Sequence, residues 1–346
     1  MSSIAVSVLD LLPVRTGQTS AQALDAARSL ARAAEEAGAR RYWLAEHHNA
    51  LSVASTSPAV AIAALAAVTS RIRLGSGGVM LPNHAPLAVA EQFALLEAAY
   101  PGRIDLGIGR APGTDQVTAW ALRAGVSDAD VVQHFPEYVQ QVMAFMSAEG
   151  AAVQIGAHQH EVVATPRAQA VPPVWLLGSS DYSARLAAQL GLPYVFAHHF
   201  SGRGTAQALE LYRDGFAGPG GPETFLTVNA VVADTSEEAR RLALPFQHMM
   251  ASLQVPGPMR RRPLMTVEEA QAEPLPLPRA AFDAVRSSWL VGTADEVAEG
   301  MQRLASDFDV PEVMVQPVAG AYAAEPLDRD VHRERTVVEL ATRLAA

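Results

Sequence analysis

The residues best equipped for chemistry sit in four short runs. The first is Trp43, Leu44, Ala45, Glu46, His47, His48 and Asn49, an apolar strand pattern that ends abruptly in a carboxylate and two imidazoles. Histidine is the side chain whose ordinary pKa suits proton transfer near neutrality, so this run offers a general acid or base. Side chains alternate along a strand, so the two histidines should face opposite ways and do not form a ligand pair for one metal. Trp43 and Ala45 share parity with His47, so the three should face one side of the strand if no bulge intervenes, but parity alone does not say which side is the barrel mouth. A histidine merely hydrogen-bonded in a rim fits the same spacing. The second run is Gly75, Ser76, Gly77 and Gly78, which interrupts a strand that resumes at Val79. Glycines there mark a bulge or a close backbone approach, and a flat ring stacked on the chain would need the absent side chains. A bulge that only accommodates curvature fits equally.

The third run, residues 103–113 (RIDLGIGRAPG), places Arg110 just past a strand. Its glycine spacing departs from the dinucleotide fingerprint, but a guanidinium at a strand end can grip a phosphate with two hydrogen bonds. The fourth run, residues 175–183 (WLLGSSDYS), passes from a strand through Gly178, Ser179 and Ser180 into a helix. Unpaired amides and the helix dipole converge at such a start, which makes it an anion site, although serines also serve as ordinary helix caps. His158 with His160 on one strand face, and His198 with His199 at a strand end, are the candidates for a metal site. No HExxH motif or carboxylate triad completes a ligand set, so none is expected.

These runs need a scaffold that brings strand ends together. Strand patterns at residues 4–9, 41–45, from 72, 103–108, 174–177, 194–197, 227–233 and 313–316 alternate with helical patterns at 21–37, 58–69, 87–99, 182–190, 205–216, 236–250 and 294–306. Strands separated by single helices are parallel with right-handed crossovers. Eight such units without a low-complexity linker predict an α/β fold, one (β/α)₈ TIM barrel spanning residues 1–346, with catalysis at the carboxyl ends of its strands. Two segments break the rhythm. Residues 151–163 alternate like a small hairpin on the rim, and residues 255–279 read as a long, lid-like insertion.

Composition narrows the function classes. The chain has 346 residues, 49% of them hydrophobic, enough to bury a large core. The net charge is −10, and the basic residues are scattered, which argues against a nucleic-acid groove or an anionic membrane surface. The absence of cysteine excludes disulfides and thiolate chemistry. With no signal-peptide pattern and no apolar run of membrane-spanning length, a cytoplasmic location is the expectation.

Taken in order, WLAEHHN, RLGSGGVMLPNHAP, GRIDLGIGRAPGTD, VWLLGSSDYSARLAAQLGLP and LVGTADEV resemble the bacterial luciferase-like flavin monooxygenase family. The resemblance runs along nearly the whole chain, is strongest over residues 3–192, and lies nearest to members without an assigned substrate. It implies FMN as cofactor, delivered in reduced form by a separate flavin reductase, and O₂-dependent oxygenation of a small organic substrate of aldehyde or ketone type. It also implies a catalytic role for His47, a cis peptide between Gly77 and Gly78 against the flavin ring beside Ser76, and a phosphate held by Arg110 together with Gly178, Ser179 and Ser180. Gly109 replaces the cysteine that the light-emitting subunit carries beside the flavin, and Tyr182 replaces a threonine on its phosphate. A homodimer is the family's expectation. Hydride transfer with deazaflavin (F420) on the same fold, or a non-catalytic flavin-binding role, are the alternative functions.

Overall fold

The computed structural model describes residues 3–126, 128–255 and 262–345. Eight parallel strands form the barrel: Ala5–Asp10, Arg41–Leu44, Arg73–Ser76, Ile104–Gly109, Val174–Gly178, Tyr194–Phe196, Thr224–Val232 and Glu312–Pro317. Each pairs with its sequence neighbour, and the eighth pairs with the first, so the sheet has closed on itself. Closure removes the sheet edges and directs every strand's carboxyl end to one face. All eight expected strands are present. Val79–Met80 continues the interrupted third strand against the fourth, and Leu290–Gly292 adds to the outside of the seventh.

Of the helices with no counterpart in the sequence reading, the two longest pack against the barrel. Phe135–Met146 supplies the crossover from the fourth to the fifth strand, and Val331–Leu344 covers the first and seventh strands. Their apolar residues recur at helical spacing between polar ones, so only their burial, for example Val337 and Leu340, reveals which face matters. The hairpin expected at 151–163 exists as Ala151–Ile155 paired antiparallel with His158–Val162. It joins the end of a helix to the start of a strand, so it decorates the amino-terminal rim of the barrel.

Strand parity sorts the core. Val6, Val8, Tyr42, Leu44, Leu74, Leu106, Leu176 and Val228 face outward and pack under the helices, where they are buried at 4% exposure or less. The inward residues form layers. At the amino end Arg41 donates to Asp105 (3.3 Å) and Glu312 (3.0 Å), Arg73 donates to Asp105 (3.1 Å), and the Ser7 hydroxyl donates to Glu312 (2.6 Å). Above this charged floor lie Trp43, Trp175 and Phe225, with ring centroids 5.1–5.6 Å apart. The Arg41 guanidinium stacks beneath them, 4.7 Å from the Trp175 ring. Gly75 makes room for this layer, since a Cβ there would lie 2.7 Å from both the Asp105 carbonyl and the Trp43 indole nitrogen.

Removing one member of a buried charge cluster leaves the others unpaired in a medium that solvates them poorly. Arg41→Met should therefore lower the unfolding free energy by about 3–5 kcal/mol, measured by chemical denaturation. A loss near zero would mean that Asp105 and Glu312 are adequately neutralised by Arg73 and Arg40.

Candidate functional site

Above the aromatic layer the barrel opens into a cavity of about 380 Å³ at the strands' carboxyl ends. Its wall contains His47, Gly77, Gly78, Arg110, Gly178, Ser179 and Ser180, seven of the eight residues the sequence nominates. Ser76 is the exception. It has the outward parity of Leu74, and its hydroxyl donates to the Gly107 carbonyl (2.8 Å) and accepts from the Gly107 amide (3.0 Å). Ser76 therefore locks the third strand to the fourth instead of facing a ligand. The Gly77–Gly78 peptide is cis, as expected. A Cβ on Gly77 would meet Leu9 at 2.6 Å, and one on Gly78 would meet the Gly107 carbonyl at 2.9 Å, so this part of the wall is bare backbone by necessity.

His47 follows Trp43 and Ala45, both inside the barrel, onto the cavity wall. Its Nδ1 is buried without a hydrogen-bond partner. Burial pushes its pKa below the usual histidine range, the Glu46 charge acting in the opposite direction, so the ring is held neutral. His48 was expected to turn away, but it also lines the cavity. Regular strand geometry ends at Leu44, and by Asn49, with φ of 55°, the chain has left it, so parity no longer governs His48. Its Nε2 is bound to the Glu46 carboxylate at 2.7 Å. Glu46 also binds His84 Nε2 (2.8 Å) and accepts from the Met80 amide (2.9 Å). Burial alone would raise its pKa, but the bonds from His48 and His84 outweigh it and bring the value down to about 2. Glu46 thus anchors the loop after the second strand to the bulge after the third.

Arg110 and the helix Asp181–Leu190 meet at another part of the wall. The Arg110 guanidinium lies 4.1 Å over the Tyr182 ring and, among the described residues, makes no ion pair or hydrogen bond. Ser180 is the residue that caps this helix, but its side chain makes no capping bond, which leaves its hydroxyl and the first-turn amides available. The one acidic side chain in that turn, Asp181, is turned toward Gln207 (2.8 Å). Tyr182 flanks the guanidinium.

Several further wall residues come from late strands and from helices that look merely apolar, and the sequence reading gave none of them a part in this site. His199 Nδ1 bonds to Thr227 Oγ1, the Asn229 side-chain amide donates to the His199 carbonyl (3.0 Å), and Asn229 Oδ1 is buried without a donor. Burial, reinforced by His198 and His47, brings the His199 pKa down to about 3. Inward parity in the seventh strand, Phe225, Thr227 and Asn229, was the available signal. His198 instead bonds Thr205 Oγ1 (2.8 Å), and among the described residues no group of three potential ligands suits a metal. Opposite the glycines the wall is apolar: Phe246, Met249, Met250, Leu264 and Trp289.

In the 255–279 segment, residues 256–261 lie outside the described residues. The remainder is more ordered than a structureless loop. Leu264 bridges to the chain after the first strand through Val14 and Thr16 (both 2.8 Å), and the helix Val267–Ala272 starts with a reciprocal Thr266 and Glu269 cap. Arg262, Pro263, Leu264 and Met265 line the cavity.

Comparison with known proteins places these features in context. The model of the family described as luciferase-like monooxygenase matches residues 4–308. A Bacillus subtilis (strain 168) protein, YvbT, is 43% identical over 314 residues, 90% of each chain. A luciferase-like monooxygenase of Escherichia coli (strain K12) is 40% identical over 328 residues, 90% of this chain and 91% of the relative. Among solved structures, apo-MsnO8 superposes with a TM-score of 0.83 at 33% identity over 99% of both chains. Two remoter structures share the fold. One is the oxygenating constituent of 3,6-diketocamphane monooxygenase from Pseudomonas putida, in complex with FMN (TM-score 0.74, 18% identity, 99% and 98% covered). The other is an F420-dependent secondary alcohol dehydrogenase in complex with an F420-acetone adduct (TM-score 0.70, 16% identity, all of both chains).

The depressed histidines make the fold acid-sensitive. Between pH 6.5 and about 3 the unfolded chain binds a proton at His199 that the folded chain refuses, so stability present above pH 6.5 is lost as the pH falls. Glu46 acts the same way between 4.5 and about 2. His199→Gln should flatten the fall in unfolding free energy from below pH 6.5 down to about 3 by up to about 1.4 kcal/mol per unit, leaving in place the part below pH 4.5 that Glu46 supplies. Denaturant titrations at each pH test this, and an unchanged upper slope would show that His199 is readily protonated in the folded state.

Proposed function

Because the chain belongs to the luciferase-like monooxygenase family, we propose that it is a flavin monooxygenase that takes reduced FMN from a separate reductase and uses O₂ to oxygenate a small organic substrate of aldehyde or ketone type. The proposal includes a cytoplasmic homodimer. The observation that carries it is the pairing, across one cavity, of an unpartnered arginine at a free helix start with a stretch of wall from which side chains are excluded. A phosphate on Arg110, Ser179, Ser180 and the first-turn amides would gain charge-assisted bonds that the protein leaves unmade. The Gly77–Gly78 backbone then offers a flat surface for a ring. The residues present therefore fit a flavin mononucleotide.

When bound, a reduced flavin supplies the two electrons that allow one atom of O₂ to enter the substrate and the other to leave as water. The protein's own part is positional and protonic. His47, neutral and part of the cavity wall, can hold or pass a proton. Phe246, Met249, Met250 and Trp289 form an apolar wall that receives the organic substrate and excludes water. The 262–279 segment acts as a lid through its cavity-facing residues 262–265.

Arg110→Ala should weaken FMN binding by about 1.5–3 kcal/mol and leave riboflavin binding unchanged in a fluorescence titration. Equal affinity of the unaltered protein for riboflavin and FMN would refute the phosphate site, and tighter binding of deazaflavin than of FMN would favour hydride transfer instead. His47→Ala should reduce turnover of the loaded enzyme by a factor of about 10² to 10⁴ with FMN affinity intact. Normal turnover in that variant would remove His47 from the reaction.

A further inference from the structure

The cavity wall holds a second neutral imidazole, and its free nitrogen faces the space a ligand would fill. His199 lines the cavity and is only partly buried. Its Nδ1 is taken by the Thr227 hydroxyl, while its Nε2 makes no hydrogen bond among the described residues and is not closed off by protein. That atom therefore opens into the cavity.

Thr227 settles which nitrogen carries the proton. Its Oγ1 lies 3.4 Å from the Phe196 carbonyl as well as beside His199 Nδ1. A carbonyl can only accept, so the single hydroxyl proton goes to Phe196, and Oγ1 accepts from Nδ1–H. The Asn229 side-chain amide fixes the backbone at the same point by donating to the His199 carbonyl (3.0 Å). Because burial keeps the ring neutral, Nε2 is left with a lone pair and acts as an acceptor.

His47 is arranged the other way. Its Nδ1 is closed off and unpartnered, whereas its Nε2, also without a partner among the described residues, is open to the cavity. A proton on Nδ1 would be a stranded donor, while on Nε2 it can be bonded by whatever fills the cavity, so His47 offers a donor. The second and sixth strands, which lead into these two histidines, are diametrically opposite in a closed ring of eight. His47 is nevertheless near enough to bear on the charge state of His199. The cavity thus presents a donor from one side and an acceptor from the other. Gln316, paired in register with Asn229, adds an amide that both donates and accepts and so imposes no choice.

We propose that His199 is a specificity residue whose Nε2 lone pair, aimed by Thr227, accepts a hydrogen bond from an O–H or N–H that the organic substrate carries near the carbonyl bound by His47. The substrate class narrows from any aldehyde or ketone to one with such a donor beside its carbonyl, an α-hydroxyketone being the simplest case. A ligand with a carbonyl alone leaves the lone pair unmet. The inference rests on the flavin reading for the identity of the reaction; the donor and acceptor pair stands on its own geometry.

Two measurements test it. In protein carrying isotopically labelled histidine, long-range proton–nitrogen correlation spectra should show His199, assigned by its loss in His199→Leu, protonated at Nδ1 and bare at Nε2. Thr227→Val should abolish that preference and Thr227→Ser should keep it. Calorimetric titration then compares N-methylhexanamide with methyl hexanoate, an isostere that has the carbonyl but no N–H. His199→Leu should lower the ratio of amide to ester affinity about three- to tenfold by weakening the amide alone, with FMN affinity unchanged. A proton found on His199 Nε2, or a ratio unmoved by both His199→Leu and Thr227→Val, would overturn the proposal even if FMN binds as proposed. Loss of FMN affinity in His199→Leu would give the acceptor to the cofactor and overturn it equally. The expected tautomer and ratio in a protein that does not bind FMN would uphold the acceptor and reject the flavin reading.

Discussion

The structure depends on how an eight-stranded parallel barrel is filled. Its interior is too narrow to stay empty and too wide to close without side chains, so something must occupy it. Here the amino-terminal half is occupied by Arg41, held between Asp105 and Glu312 and capped by Trp43, Trp175 and Phe225. Beyond that layer the inward residues shrink to Ala45, Gly77, Gly109 and Ala197, and the interior becomes a cavity. The plug and the cavity are two halves of one arrangement. The bulky layer sets the depth of the cavity floor, and Gly75 and Gly77 let Trp43 sit where it does.

The mouth is governed by a second balance, between burying imidazoles and keeping them neutral. His47 and His199 are depressed by burial, whereas His48 and His84 are tied to an ionised Glu46. One carboxylate thus fixes two loops while leaving His47 without a partner for its Nδ1. The cations are handled differently: Arg110 is braced by the face of Tyr182, whereas Arg262 is paired with one oxygen of Glu273. The Arg110 end of the cavity is therefore prepared for an anion, and the wall formed by Phe246, Met249, Met250 and Trp289 is apolar.

The sequence by itself determined the architecture, because alternation of strand and helix periods, repeated eight times, has few packed solutions. It also determined the backbone-only stretch at Gly77–Gly78, the arginine past the fourth strand and the serine-led helix start, since each is a local pattern whose consequence is local. Parity put His47 on one side with Trp43 and Ala45, and the family resemblance chose that side as the mouth. The same parity, read two residues too far, misplaced His48, and Ser76 was assigned to the cavity although its number has the outward parity of Leu74.

Only the tertiary structure decided what depends on residues distant in the chain meeting at one place. The Arg41, Asp105 and Glu312 cluster draws on the second, fourth and eighth strands, and nothing near any one of them in sequence marks it as a plug. The Glu46 hub requires His84 from beyond the third strand. The far wall, with Asn229, His248, Arg262 and Trp289, comes from the last third of the chain, where each residue reads as an ordinary strand, helix or loop position. Periodicity reports which side of an element is buried, but it carries no record of which buried sides face one another, and that pairing is made by the closure of the barrel.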